Sequence, residues 1–256
     1  MKLITLNIWG GRGGKDLLLS FFKAQKDDVD IFCLQEVFAA QYDGFDKQLT
    51  ANQKLDPSIF MNQGMQDIRD VLGKEYTTLY HPHFNDLFGL MMAVKSNISI
   101  LESGDIFVHK YKGYVSDNDI AEHARNIQYA KTKVKEKQIT IINFHGLWNG
   151  KGKTDSQERI QQSKNIVSFL ENIEGEVILS GDFNLRPDTD SVKLLEDAGL
   201  RNMITEYGII STRTSHYKKA EKFADYVFVT DGIDVKDFKV LPDEVSDHSA
   251  LLLDFE

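Results

Sequence analysis

Acid, amide and imidazole side chains recur in this sequence where an apolar run stops. The run 3–6 ends at Asn7, 29–34 at Gln35 and Glu36, 139–144 at His145, and 177–179 at Asp182 and Asn184. Ser246, Asp247 and His248 precede the last apolar run. Polar residues at strand ends have an ordinary explanation in local hydrogen bonding, and each of these taken alone is explained that way. Together they describe a chemistry. Glu36, Asp182 and Asp247 are carboxylates, the hard oxygen ligands that Mg²⁺ or Mn²⁺ takes. His145 and His248 can donate to a phosphate oxygen and, when protonated, offset its charge. Asp182 and Asn184 are two apart, so on an extended segment they project to the same side, one to align a water and the other to hold a phosphoryl oxygen. Carboxylates, a hard cation and imidazoles are the groups that attack of water at phosphorus needs.

Other chemistries find less support. No Gly-x-x-x-x-Gly-Lys phosphate loop is present, which excludes nucleotide hydrolysis of that kind; the glycine-rich run 10–14 reads as a flexible loop. His81, His83, His109, His123 and His216 lack zinc-site spacing and are expected to be surface or locally bonded residues. Cys33 is the only cysteine, so no intrachain disulfide forms, and its apolar surroundings predict a small buried hydrophobe.

The elements that must carry these groups follow from hydrophobic patterning. Strands are expected at 2–8, 29–34, 77–79, 89–95, 98–107, 127–134, 139–144, 177–181, 224–230, 235–240 and 249–255, with a hairpin turn at 135–138. Helices are expected at 15–26, 63–73, 156–172 and 190–198. Asp155 or Ser156 would cap the third, with Ile160, Ile166, Val167 and Leu170 as its inner stripe. Many strands with few helices predict two packed sheets flanked by helices. The polar insertion 38–60 is left unassigned. Of 256 residues, 41% are hydrophobic and only 4 are proline, which favours one domain spanning 1–256 over linked modules.

A net charge of −9 argues against gripping duplex nucleic acid by charge alone. Cations are unevenly spread, however. Between 211 and 222, Arg213, Lys218, Lys219 and Lys222 face one anion, Glu221, and Lys151, Lys153 and Arg186 lie in other loops. A basic rim on an acidic body suits a phosphate-bearing substrate. No stretch has the length of a transmembrane helix and no signal peptide opens the chain. A cytoplasmic protein without membrane insertion or an obligate protein partner is expected.

Six segments, in order, resemble the signature of the endonuclease/exonuclease/phosphatase superfamily: Leu6-Asn7-Ile8, Leu34-Gln35-Glu36-Val37, Asn143-Phe144-His145, Gly181-Asp182-Phe183-Asn184, Asp225-Tyr226-Val227-Phe228-Val229 and Ser246-Asp247-His248. The match runs from residue 6 to 248. Each motif is moderately specific, and their order carries the resemblance. It implies an α/β fold of the α+β type, a four-layered αββα sandwich of two mixed sheets flanked by helices. It further implies Glu36 as the principal Mg²⁺ (or Mn²⁺) ligand, supported directly or through water by Asn7 and Asp247. Asp182 would activate the nucleophilic water, Asn184 would hold a phosphate oxygen, and His145 and His248 would bind the phosphate, His248 paired with Asp225. Arg125 resembles a phosphate-contacting arginine of the deoxyribonuclease branch.

The sequence also departs from the pattern. Asn143-Phe144-His145-Gly146-Leu147-Trp148 replaces Asn-Thr-His-Leu, and Lys222-Phe223-Ala224-Asp225-Tyr226 replaces Arg-Ile-Asp-Tyr. A mid-chain second carboxylate has no motif; Asn85, Asp86 and Glu102 are its candidates. Trp148 could stack on a base, lipid or sugar. The resulting expectation is a Mg²⁺- or Mn²⁺-dependent phosphodiesterase, a nuclease with nucleic acid as substrate. The alternatives are a phosphatase or sphingomyelinase-like enzyme acting on a small phosphorylated head group, and a binding module that has lost catalysis. The loops 38–60, 107–123 and 147–155 would set specificity.

Overall fold

A computed structural model describes residues 1–40, 59–83, 86–116, 122–134 and 137–256. Most of the 38–60 insertion, Asn85, residues 117–121 and the tip of the 135–138 hairpin lie outside the described residues. In chain order the strands are β1 (Lys2–Asn7), β2 (Ile31–Phe38), β3 (Tyr76–Pro82), β4 (Phe88–Lys95), β5 (Ser99–His109), β6 (Arg125–Val134), β7 (Lys137–His145), β8 (Glu176–Asp182), β9 (Arg201–Asn202), β10 (Asp225–Val229), β11 (Val235–Val240) and β12 (Leu251–Phe255). The helices are α1 (Lys15–Gln25), α2 (Gly64–Leu72), α3 (Gln157–Leu170), α4 (Asp190–Asp197) and α5 (Met203–Glu206). The strands form two six-stranded sheets, ordered β11-β12-β1-β2-β4-β3 and β5-β6-β7-β8-β10-β9. This is the layered sandwich of mixed sheets that the sequence predicts.

Central strands read as continuous apolar runs because both faces are covered. Alternate residues of one strand feed different layers. Leu3 and Cys33 join the core between the sheets, with Met92, Ile141, Leu179 and Phe228. Ile4 and Phe32 point the other way, onto Leu18 and Phe22 of α1 and Ile68 of α2. Burial raises the Cys33 thiol to about 12, so it is inert as expected. One polar seam crosses the inner core: Gln35 Nε2 donates to Asn143 Oδ1 at 2.7 Å, and Asn143 Nδ2 donates to Gln128 Oε1 at 3.1 Å. Buried amides bonded across the two sheets in this way fix how one sheet sits on the other.

The topology aims strand ends at one edge. β1 and β2 run parallel, setting Asn7 beside Gln35. β7 and β8 also run parallel, setting His145 beside Asp182. β10 runs antiparallel to β8, so its first residue, Asp225, faces Asp182.

Three details differ from expectation. β2 continues to Phe38 through an irregularity between Leu34 and Val37, so Glu36 lies within a strand and not after one. β9 and α5 are new, and both are too short to show a period. The inner face of α3 carries Arg159, Gln162 and Ser163 beside the buried Ile166, with Val167 and Leu170 packed on the core as expected, so polar residues join the expected apolar stripe. The reason is that α3 covers a loop as well as a sheet. Arg159 Nε donates to Leu147 O at 3.2 Å, and Gln162 Oε1 accepts from Leu147 N at 3.1 Å. Ser156 caps α3, accepting from Arg159 N, whereas Asp155 accepts from the backbone of Asp190 and Ser191 at the start of α4. Among the described residues no helix is long and apolar enough to cross a membrane.

Candidate active site

Asn7 ties three strand ends together. Its Nδ2 donates to Glu36 Oε1 at 3.0 Å and to Asp182 Oδ2 at 2.9 Å. Glu36 reaches this point from the β2 irregularity with φ of +59°. A bulge of that kind turns a side chain out of the pleat, and a left-handed non-glycine residue costs about 1–3 kcal/mol, which sites of function tolerate. Asn7 Oδ1 accepts from Trp9 N at 2.9 Å. The amide therefore turns its N–H groups toward the carboxylates and orients them.

Asp182 is buried, with Asn184 N donating to its Oδ1 at 2.9 Å. Burial alone would raise its pKa, but His248, Lys153, Arg213 and the Asn7 hydrogen bond outweigh it and hold the carboxyl below its ordinary value. Gly181 makes this approach of β8 to β7 possible: at φ of +140°, a Cβ would lie 1.9 Å from Phe144 O. Asn184 is not on an extended segment. The strand stops at Asp182, and Asn184 adopts φ of +54°, so the same-side geometry expected of the pair is replaced by a tight turn. Its Oδ1 accepts from Lys153 Nζ at 2.9 Å, and its Nδ2 donates to Gly146 O at 3.2 Å.

The two histidines flank Asp182, with His145 Nε2 at 3.7 Å and His248 Nε2 at 3.6 Å from Oδ2. Their environments differ. His248 Nδ1 bonds both carboxylate oxygens of Asp225, which also accepts from Thr212 Oγ1 at 2.9 Å. Burial and Arg213 lower the His248 pKa, but Asp225, Asp182 and Asp247 raise it more, leaving it above its ordinary value. His145 is driven well below its ordinary value by burial, Arg125, His83 and further cations. Arg125 Nη1 lies 3.1 Å from His145 Nδ1. A guanidinium only donates, so Nδ1 accepts and the neutral ring carries its proton on Nε2, toward Asp182. Arg125 is thus buried behind His145. His83, expected at the surface or locally bonded, is fully buried; its Nδ1 lies 2.6 Å from Asn126 Oδ1 and its ring 5.5 Å from that of His145.

Asp247 completes the cluster. Its Oδ2 accepts from Arg213 Nη1 at 3.2 Å, while its buried Oδ1 has no hydrogen-bond partner among the described residues. An orphaned buried carboxylate oxygen is costly, and a hard cation is a fitting partner for it and for Glu36. Asp182, Asp225 and His248 also bring ligand atoms within 4.8 Å of one another. There, however, Asp225 is already saturated by His248 and Thr212, so an ion would have to break that pair. A cation held instead by Glu36 and Asp247 would leave that pair intact.

Sequence reasoning placed the acids and imidazoles but missed the cations that hold them. Arg213 and Lys153 were legible only as members of basic loops; Lys153 proves to be 2% exposed. Arg12, from the run read as a flexible loop, stacks its guanidinium 4.3 Å from the Trp9 ring and senses Glu36 and Asp247. Trp148 is half-buried, with Lys219 Nζ 5.1 Å and Lys153 Nζ 5.8 Å from its ring. Asp86 and Glu102 lie in exposed ion pairs with Lys112 and Lys131, so neither supplies a second carboxylate to the cleft.

The comparisons with known proteins agree with the fold. The sequence model of the Endonuclease/Exonuclease/phosphatase family matches residues 4–248. No curated protein matches. Among solved structures, a mannosyl-6-phosphatase of Bacteroides thetaiotaomicron is similar over 100% of this chain and 99% of its own, at TM-score 0.74 and 17% identity. A humanised D. rerio TDP2 aligns over 100% and 98% at TM-score 0.69 and 16% identity. The human Nocturnin catalytic domain with bound sulfate aligns over 100% and 94% at TM-score 0.63 and 18% identity. With a match across nearly its whole length, this chain belongs to the endonuclease/exonuclease/phosphatase family.

Proposed function

We propose that the protein hydrolyses phosphoesters with the help of Mg²⁺ or Mn²⁺, using water activated by Asp182. The supporting observation is one buried carboxylate flanked by two imidazoles in opposite settings, His248 backed by the Asp225 carboxylate and His145 by the Arg125 guanidinium. Environments that drive titratable groups apart are how a site assigns acid and base roles.

In this reading Glu36 and Asp247 hold the cation, and Asn7 keeps Glu36 and Asp182 apart and oriented. When bound, the cation supplies charge stabilisation at the phosphoryl oxygens. Asp182 takes the proton of the attacking water as the bond to phosphorus forms and the ester oxygen leaves. His145 donates from Nε2–H to a phosphate oxygen, its tautomer set by Arg125. His248, kept protonated by Asp225, donates a charged hydrogen bond to the same group. Asn184 lies next to Asp182 with one amide hydrogen to offer. Arg125 acts through His145 and does not touch substrate.

Two substrate readings are separable. Nucleic-acid diesters, the expectation from sequence, are supported by Trp148 and Lys219 at the rim. A phosphomonoester is supported by Lys153 in the floor of the site. After EDTA treatment, hydrolysis of bis-p-nitrophenyl phosphate and p-nitrophenyl phosphate should vanish, and Mg²⁺ or Mn²⁺ should restore it. Glu36→Gln should raise the Mg²⁺ concentration needed at least roughly tenfold, the scale at which ligand-set changes act. Full activity of metal-free protein would sink the proposal; no hydrolysis under any condition would favour the binding-module alternative.

A further inference from the structure

Lys153 belongs to the loop between β7 and α3 yet is 2% exposed. Lysine is almost never so buried unless it meets a carboxylate. Here its ammonium meets an amide instead, donating to Asn184 Oδ1 at 2.9 Å. Of the three N–H donors of an ammonium, two have no partner among the described residues. Burial lowers its pKa to about 8 against the pull of Asp182, Asp225 and Asp247.

The loop is built to keep it there. Three successive carbonyls are tied down: Gly152 O by Arg159 Nη2 at 2.9 Å, Lys153 O by Arg186 N at 2.9 Å, and Thr154 O by Arg159 Nη1 at 2.5 Å. Arg159 is itself 1% exposed. A fully buried arginine that spends its donors on loop carbonyls fixes the backbone on both sides of Lys153. Trp148 lies over the ammonium on the outer side.

We propose that Lys153 receives a terminal phosphate, its open N–H groups binding the third non-bridging oxygen that a phosphomonoester presents and a diester lacks. A monoester carries between one and two negative charges near neutral pH, whereas a diester carries one. His145, His248 and the cation site already serve two oxygens in the reading above, on which this inference rests. An additional buried cation is needed only where a third oxygen and extra charge arrive. Without that ligand, the buried amine keeps a single hydrogen bond, to an amide oxygen, beside the Trp148 ring and more distant carboxylates, at a desolvation cost of the kind buried charges avoid.

The test is the ratio of kcat/KM for p-nitrophenyl phosphate over bis-p-nitrophenyl phosphate in wild type, Lys153→Met and Lys153→Gln, together with calorimetric binding of inorganic phosphate in the presence of Mg²⁺. Lys153→Met should lose on the order of 10²-fold on the monoester, at least tenfold more than on the diester, and bind phosphate at least tenfold more weakly. Lys153→Gln, which can still donate to Asn184, should resemble the Met variant. Equal losses on both esters, or full rescue by glutamine, would show that Lys153 only positions Asn184 and would overturn the proposal. The two readings can fail separately. If wild type hydrolyses neither ester but binds phosphate more tightly than both variants, the hydrolase reading fails and the anion site stands. If wild type and variants bind phosphate equally, or wild type does not bind it, the assignment of Lys153 is wrong.

Discussion

His248 Nδ1 lies 2.8 Å and 2.9 Å from the two carboxylate oxygens of Asp225, across a sequence separation of 23 residues. The pair raises the folded-state pKa of His248. By linkage, its contribution to stability is complete below the unfolded value near 6.5 and fades as pH rises through the higher folded value. Asp225→Asn should lower the His248 pKa, followed by NMR of the ring in metal-free protein, and should move the high-pH limb of kcat/KM toward acid. Asp225→Asn and His248→Ala should each reduce activity, and the double variant should lose much less than the product of the two. Losses that multiply, with an unmoved pH profile, would show the pair to be uncoupled.

Arg125 and His145 form a second coupled pair with the opposite sense. Because Nδ1 accepts from the guanidinium, imidazole ¹⁵N shifts should report a neutral ring protonated on Nε2 throughout the neutral range. Arg125→Gln should mix the tautomers and lower kcat by about 10–100-fold, the usual size for an outer partner of a working imidazole. A His145 ring found cationic at neutral pH would contradict the assignment.

Arg159 couples fold to site through the loop it clamps. Arg159→Met removes donations to the carbonyls of Leu147, Gly152 and Thr154 while keeping much of the buried volume. The expected loss is about 2–4 kcal/mol, seen as a Tm lowered by several degrees in a protein of this size. Monoester hydrolysis should fall with it, because Lys153 loses its seat. An unchanged Tm would show the clamp to be dispensable.

Much of this was legible in the residues. The apolar runs of β1, β4, β7 and β8 announce themselves because both faces are buried, whereas the parallel pairing of β1 with β2 and of β7 with β8 is seen only in the fold. What escaped notice was set by context. The inner face of α3 carries, beside the expected Ile166, Val167 and Leu170, the polar residues Arg159 and Gln162, which bind loop backbone and which no apolar stripe announces. The left-handed turn at Asn184 and the bulge at Glu36 leave no periodic trace. Lys153 and Arg213 look like any loop cations until packing removes them from water. Asn7 ends β1 where the apolar run stops, but which end of its amide faces the carboxylates follows from its bond to Trp9 N–H, a backbone contact that no motif records.

The central claim is that Asp182 activates the attacking water, and the kcat of Asp182→Asn at saturating Mg²⁺ and substrate tests it most directly. The substitution preserves shape and the hydrogen bond from Asn184 N but removes the basic oxygen. The account predicts a fall in kcat of roughly 10²–10⁴-fold, the range general-base catalysis supplies, with KM changed only slightly. A variant that keeps wild-type kcat and loses only affinity would contradict it.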